Sequence, residues 1–418
     1  MIVDRALTAE ERRRSQNAMR DQSFLSSLAM NCGSETLLIL LALSLGIPET
    51  IVSATGSLQL FSYTVLPFGF LLAARVGAIK SISRFLLLAG FIYLTITAAC
   101  FVPYGAWLLL PAWVLLHLSR SCSAAMNFPL QKNITTPEEM PVMLSRIQVA
   151  NTVTGLGTTL LIVWLLSRYP GKILLPILFA AAFLLYVACS RNIRRVVEPA
   201  ALQRMANHPV IKQALTAWRI PHIRHQIYVG SAMNLSLAML PAVNILAMKQ
   251  GYGLADSTIL LLGAVQAFSS IAASFLYRKL AFRTGPEKLL VAVCPLLWLL
   301  FLYWIFAPET ITLWIALPPF IFTGFFQTIV STGLGNYFTN TVDNPHQIGG
   351  TFWVFVVTGG LMGVCGMIFN PLIFKLLQIF GNGSGMDLFR NYFLVTAILF
   401  AGLICAPLSL VLKKKKAD

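Results

Sequence analysis

Apolar residues run through this chain in long blocks, without the alternating or 3.6-residue stripes of a water-soluble fold. Twelve blocks are long enough to cross a bilayer as helices of about 20 residues. They lie near residues 24–46, 57–79, 85–102, 106–128, 146–166, 172–190, 226–248, 257–277, 288–306, 311–338, 349–375 and 391–412. Polar residues collect in the short segments between blocks. The longest polar stretch, 191–225, divides the blocks six and six. The pattern predicts an all-α polytopic membrane protein. Its parts are an N-terminal segment (1–23), a six-helix bundle (24–190), a basic linker (191–225), a second six-helix bundle (226–412) and a Lys-rich tail (413–418).

The two halves repeat each other. Gly56 to Ser62 and Gly263 to Ser269 both read G-x-x-Q-x-F-S, 207 residues apart. Leu72 to Gly77 and Leu280 to Gly285 both read L-A-x-R-x-G, 208 residues apart. Asn133 with Asn340 and Pro137 with Pro345 form a weaker echo. An even number of spans per unit gives both halves one orientation, so the repeat is parallel, about an axis along the membrane normal.

Composition sharpens this picture. Of 418 residues, 57% are hydrophobic and 11% charged, and the mean hydropathy is +0.75. A water-facing surface needs more charge than that, since soluble proteins carry about 25%. A net charge of +16 invites a nucleic-acid reading. The cations, however, sit at span ends and in the tail Lys413 to Lys416, where anionic headgroups are the expected contact. With both termini in the cytoplasm, 25 of the 31 Lys and Arg fall on the inner side. Arg168, Lys172, Lys249, Lys375 and Arg390 fall outside, and Arg120 lies within a span. A multi-pass protein of the bacterial inner membrane is expected, and a monomer. The first block starts near Phe24 and is long enough to span, so it reads as a membrane span and not as a cleaved leader. The seven cysteines lie in apolar blocks without metal-ligand spacing, as small buried hydrophobes. No phosphate-binding loop or nucleophile elbow occurs. Neither an enzyme nor a cofactor is implied. Asn133-Ile134-Thr135 and Asn382-Gly383-Ser384 match the glycosylation pattern without further support.

Polar side chains are unevenly shared among the spans. The centres of spans 3, 6, 9 and 12 hold no Asn, Gln, His or charge. Spans 1, 4, 7 and 10 hold Asn31, Glu35, His117, Arg120, Asn234, Asn244 and Gln327. Burying such groups in lipid costs several kcal/mol each, so they must face protein or water.

These features together resemble the major facilitator superfamily. The resemblance rests on twelve spans, the parallel six-plus-six repeat, the basic central linker and L-A-x-R-x-G after spans 2 and 8. That motif is similar to the family's loop motif G-x-L-A-D-R-x-G-R-R. Phe70 stands in place of its first glycine, Ala74 (and Phe282) in place of the aspartate, and Ala78-Ile79 in place of the basic pair. The resemblance implies a secondary transporter working by alternating access. Helices 1, 4, 7 and 10 would line a central cavity, helices 3, 6, 9 and 12 would face lipid, and Arg75, Gly77, Arg283 and Gly285 would serve gating.

Candidate transport residues follow. Glu35 lies 11 residues into span 1, about 16 Å from its cytoplasmic end. His117 and Arg120 lie one turn apart in span 4. At similar depth, Glu35 and Arg120 can pair, and a pair is tolerable where a lone charge is not. Glu35 is then the candidate proton site. His117 is a relay or solute ligand, since imidazole exchanges protons near neutral pH. Asn31, one turn earlier, can bond the carboxyl group. A static pair fixing two helices remains the alternative.

The second half offers hydrogen-bonding groups without charge: Asn234, Asn244 and Gln327, with Ser236, Thr323, Thr328 and Ser331. Amides both donate and accept, which suits a neutral polyhydroxylated solute, a sugar among them. Gln59 and Gln266 occupy matching repeat positions, either facing a solute or bonding helix to helix. Trp107, Trp113, Trp164, Trp304, Trp314 and Trp353 read as an interfacial belt. Gly155, Gly157, Gly359, Gly360, Gly363 and Gly366 read as sites of close helix approach.

Three functions stay open. The first is proton-coupled symport of a small polar solute, similar to the family's sugar–proton symporters, although Val196-Val197-Glu198-Pro199 departs from the sugar-porter loop. The second is proton-linked efflux of amphipathic compounds, although Thr154-Gly155-Leu156-Gly157 lacks the drug-antiporter glycine-proline pair. The third is a non-transporting solute sensor.

Overall fold

The structure is a computed structural model. It describes residues 2–402 except 6, 137–138, 170, 201–209, 342–349, 351 and 381–384. Pro137, Pro345, the Asn382 motif, Cys405 and the Lys-rich tail lie outside the described residues.

Among the described residues, the expected spans fall on helix. In the first half these are α1 (Ala9–Cys32), α2 (Glu35–Ser44), α3 (Glu49–Thr55), α4 (Leu58–Phe61), α5 (Leu66–Val76), α6 (Ala78–Ala99), α7 (Gly105–Ala124), α8 (Asn127–Asn133), α9 (Glu139–Arg168) and α10 (Gly171–Ile193). In the second half they are α11 (Val210–Ala217), α12 (Pro221–Met239), α13 (Pro241–Leu246), α14 (Asp256–Thr284), α15 (Pro286–Ile305), α16 (Leu313–Thr341), α17 (Met362–Phe380) and α18 (Met386–Ala401). Among the described residues, nine helical stretches are long and apolar enough to cross a membrane.

Several elements depart from simple spans, each for a local reason. α1 begins at Ala9, well before the expected Phe24. Thr8 caps it in a reciprocal box with Glu11, and Arg5 grips the same carboxylate at 2.8 Å. Span 2 is broken into α3, α4, a 3₁₀ turn (Ser62–Val65) and α5, where Gly56 and Pro67 interrupt the ladder. Span 11 opens with a π-helical stretch, Phe352–Leu361, and a π turn, Ala247–Gly251, follows α13.

The chain forms two compact units, divided ahead of span 2, within it and in the linker. The first comprises Met1–Gly46 and Ser62–Ile211, the second Ile47–Phe61 and Lys212–Asp418.

In the first unit α10 packs on α6 and α1, and α6 packs on α7. Its core stacks Tyr93 on Tyr186 and Phe179, with ring centroids 5.5 and 6.3 Å apart. At its basic end, strand β1 (Ile2–Val3) pairs in parallel with β2 (Glu198–Pro199). The buried Glu198 carboxylate accepts the backbone N–H groups of Ala78 and Ile79 at 2.6 and 3.1 Å. It thereby caps α6, where the helix dipole favours negative charge.

In the second unit α3 and α4 pack on α17. Contact is backbone-close: a Cβ on Gly363 would lie 2.1 Å from the Phe61 nitrogen, and one on Gly366 would lie 2.3 Å from Ser57 Oγ. Asn370 Nδ2 donates to the Ser53 carbonyl at 2.9 Å, while its Oδ1 accepts from Tyr392 at 2.6 Å. The expectation of close approach fails at Gly157, which has open space where a Cβ would be.

The repeat is visible in backbone angles. Gly77 and Gly285 share φ/ψ values of 94/152° and 82/151°, a region open essentially to glycine alone. Gly46 and Gly253, 207 residues apart, share φ values of 74° and 68°. Spans 1 and 7 break at matching places, before Glu35 and before Pro241. Spans 3, 6, 9 and 12 expose large apolar side chains, among them Phe91, Leu184, Leu299 and Ile398, which suits lipid contact.

Candidate functional site

The first unit places its charged candidates around the break in span 1. Gly33 ends α1 and donates its N–H to the Ala29 carbonyl. Ser34, extended, caps α2 by accepting from the Leu37 N–H at 3.4 Å. Glu35 is thus the first residue of a half-helix, where the dipole favours its negative charge. The carbonyl freed at Gly33 is not orphaned, because Tyr93 donates its hydroxyl to it at 2.7 Å. The Tyr93 ring also requires glycine there, since a Cβ would come within 2.1 Å of it.

Glu35 meets span 4 at two points. Its Oε2 lies 3.0 Å from His117 Nε2 and accepts from Trp113 Nε1 at 3.4 Å. His117 and Trp113 are buried, and Glu35 is about one-third exposed at 33%. Glu35 Oε1 is buried with no hydrogen-bond partner among the described residues.

The partners differ from those expected. Glu35 meets His117, not Arg120. Arg120, half-buried one turn further along α7, has no carboxylate within 4 Å and no side-chain hydrogen bond among the described residues. It stands within electrostatic reach of Tyr186, Tyr93 and Glu35. Asn31 is committed elsewhere: its Nδ2 donates to the Ser27 carbonyl at 2.7 Å and its Oδ1 accepts from Thr159 at 3.1 Å.

The burial of two tryptophans, one of them Trp113 of the site, was not legible as such. Trp113 and Trp304, read as belt residues, are fully buried, whereas Trp107, Trp164 and Trp314 are exposed as expected. Trp353 turns inward to donate to the Ala214 carbonyl at 2.8 Å. The sequence did hold the signal for the helix break. Gly33-Ser34-Glu35 is a helix stop, an N-cap and an acidic first turn in succession.

The second unit carries the neutral candidates. Asn234 on α12 donates to Thr358 at 3.4 Å. Asn244 on α13 is buried, and its Oδ1 has no partner among the described residues. Thr323 on α16 is likewise buried with an unpartnered hydroxyl, and Gln327, one turn on, is half-buried. Gln266 is half-buried with its Cγ under Gly324, and Gln59 is exposed. Arg75 and Arg283 are exposed next to Gly77 and Gly285. Among the described residues no cluster could hold a metal ion.

A membrane bundle with broken helices, orphaned buried acceptors and a carboxylate–imidazole pair has the features of a membrane transporter. Comparison with known proteins gives the family. The model of the Major Facilitator Superfamily matches residues 23–367. The chain belongs to the Major Facilitator Superfamily: it is a multi-pass membrane transporter and not an enzyme. No curated protein matches it in sequence. Solved structures match in fold. The nucleoside transporter NupG aligns at 14% identity and TM-score 0.66, over 93% of this chain and 98% of that one. The peptide transporter POT in complex with sulfate aligns at 12% and 0.66, over 94% of each. Tetrameric PepTSo2 aligns at 11% and 0.64, over 97% and 100%.

Proposed function

We propose that this protein is a secondary active transporter that carries a small polar solute across the bacterial inner membrane by alternating access, in symport with protons. The observation that carries the reading is the Glu35–His117 pair at the break in span 1. A carboxylate and an imidazole 3.0 Å apart, one on span 1 and one on span 4, offer a place for one proton inside the membrane. Glu35 keeps a buried oxygen with no hydrogen-bond partner among the described residues, an acceptor left for a proton. The hydrogen-bonding groups of the second unit, Asn244, Thr323 and Gln327 foremost, suit a solute with several polar atoms. The similar structures are named for nucleoside and peptide transport, both polar solutes, which agrees with that chemistry.

The test is transport in proteoliposomes loaded with a pH dye. Glu35→Gln should abolish proton-driven accumulation while counterflow of the same solute survives. Undiminished accumulation in Glu35→Gln would remove Glu35 from the coupling step.

A further inference from the structure

The charges of the first unit do not pair as an acid–arginine bridge, and this bears on what the solute must carry. Glu35 is held by His117 and Trp113. Arg120 is left without a carboxylate within 4 Å or a side-chain hydrogen bond among the described residues, although it sits in mid-span and half-buried. Its surroundings are the hydroxyl-bearing rings Tyr93 and Tyr186, with Glu35 beyond contact range. Both tyrosines are buried, and Tyr93 is already committed to the Gly33 carbonyl. An arginine so placed presents a planar fork of donors suited to a carboxylate.

We propose that the transported solute carries one carboxylate, that Arg120 binds it, and that the proton taken up at Glu35–His117 makes the loaded site electrically balanced. The inference rests on the transport reading above and names its substrate class.

The charge count runs as follows. With neutral His117, Glu35 and Arg120 sum to zero. A bound monoanion takes the cluster to −1, and one proton on the Glu35–His117 pair returns it to zero. Each ligand thus favours the other, because a net charge in a low-dielectric site is costly. Proton uptake also neutralises the pull of Glu35 on Arg120, freeing the guanidinium for the solute. A carboxylate fits this count better than a phosphate ester, which carries nearer two charges at neutral pH.

Among the described residues, the ionisable groups within electrostatic reach of Arg120 besides Glu35 are Tyr93 from α6 and Tyr186 from α10. Tyr63 lies in the 3₁₀ turn, and Arg75 belongs to the basic end of α5.

The experiment uses the whole protein in proteoliposomes, with matched probes: D-gluconate against sorbitol, D-glucuronate against glucose, and lactate against glycerol. Uptake under an inward proton gradient and charge movement on a supported membrane are both recorded. Carboxylates should move at least tenfold faster than their neutral partners, without net current, and with apparent affinity rising up to tenfold per pH unit of acidification. Arg120→Gln should erase the preference and flatten the pH slope, and Arg120→Lys should restore part of it. The wild-type current record needs no variant, so misfolding of either variant leaves the inference testable. Proton-linked uptake of a neutral probe with net current, unchanged in Arg120→Gln, would overturn the inference and leave the transport reading standing. Absence of uptake and of counterflow for all six probes would count against the transport reading, and this inference would fall with it.

Discussion

Single residues hold the candidate site in shape. Gly33 is the clearest case, because the Tyr93 ring occupies the volume of any side chain there. Gly33→Ala forces that ring off its stack with Tyr186 and Phe179. Overpacking of this kind costs about 1–3 kcal/mol. Thermal unfolding in detergent should show the loss, and a relieving Tyr93→Phe change should not fully restore it, because the Phe ring still fills that space. An unchanged melting temperature in Gly33→Ala would mean the ring is not where it is placed here. Outside the membrane, Arg5, whose side chain hydrogen-bonds Glu11, and then the Thr8 N–H hold the Glu11 carboxyl down at about 2. A depressed carboxyl stabilises the fold fully above its unfolded value of about 4.3 and loses that contribution as pH falls toward 2. A carboxyl-carbon NMR titration of Glu11 should therefore show no midpoint near 4, and Arg5→Ala should bring one back toward it. Glu139 is shifted down in the same sense, first by the Thr136 N–H and then by Gln16.

At the scale of elements, breaks matter more than spans. Spans 1, 2 and 7 all interrupt their hydrogen-bond ladders, and the interruptions coincide with the candidate residues or with the division between units. Glycines divide into two kinds. Gly363 on α17 meets the backbone of Leu60 and Phe61, which cannot swing aside as a side chain can. Gly157 on α9 meets nothing within 4 Å. Gly363→Ala should lower stability by about 2 kcal/mol or more. Gly157→Ala should be neutral or gain up to about 1 kcal/mol from reduced unfolded-chain freedom. Equal effects of the two substitutions in a thermal-shift assay would refute the close packing of α4 on α17. The alanine-scale contrast was hidden in the sequence, since both glycines sit in apolar helical blocks and only the neighbour from another segment tells them apart.

For the whole molecule, charge placement predicts topology. Reporter fusions after Val76 and Ile193 should report the cytoplasm, and fusions within 101–104 and 306–312 the outside; reversal of any pair would undo the orientation. Nine of the twelve expected spans are apolar enough to be recognised by that property alone. The fourth is diluted by the polar groups it carries, and the twelfth is described only to Gly402. The fold class and the internal repeat were legible in the chain, because lipid demands long apolar helices whatever their neighbours and because a duplicated unit keeps its turn glycines. Gly77 and Gly285 are such glycines, and their matching backbone angles bear out a repeat read from six letters. The residues worth examining were also legible, since ionisable groups are rare inside spans. Which of them meet was not. That Glu35 turns to His117, that Asn31 accepts from Thr159, and that Trp113 is buried against the carboxylate depend on helix rotation and on the break at Gly33. Those are settled by side-chain packing between segments some 80 to 130 residues apart, where a shift of one position along a helix turns a side chain by about 100°. Sequence spacing along one helix carries no record of that choice.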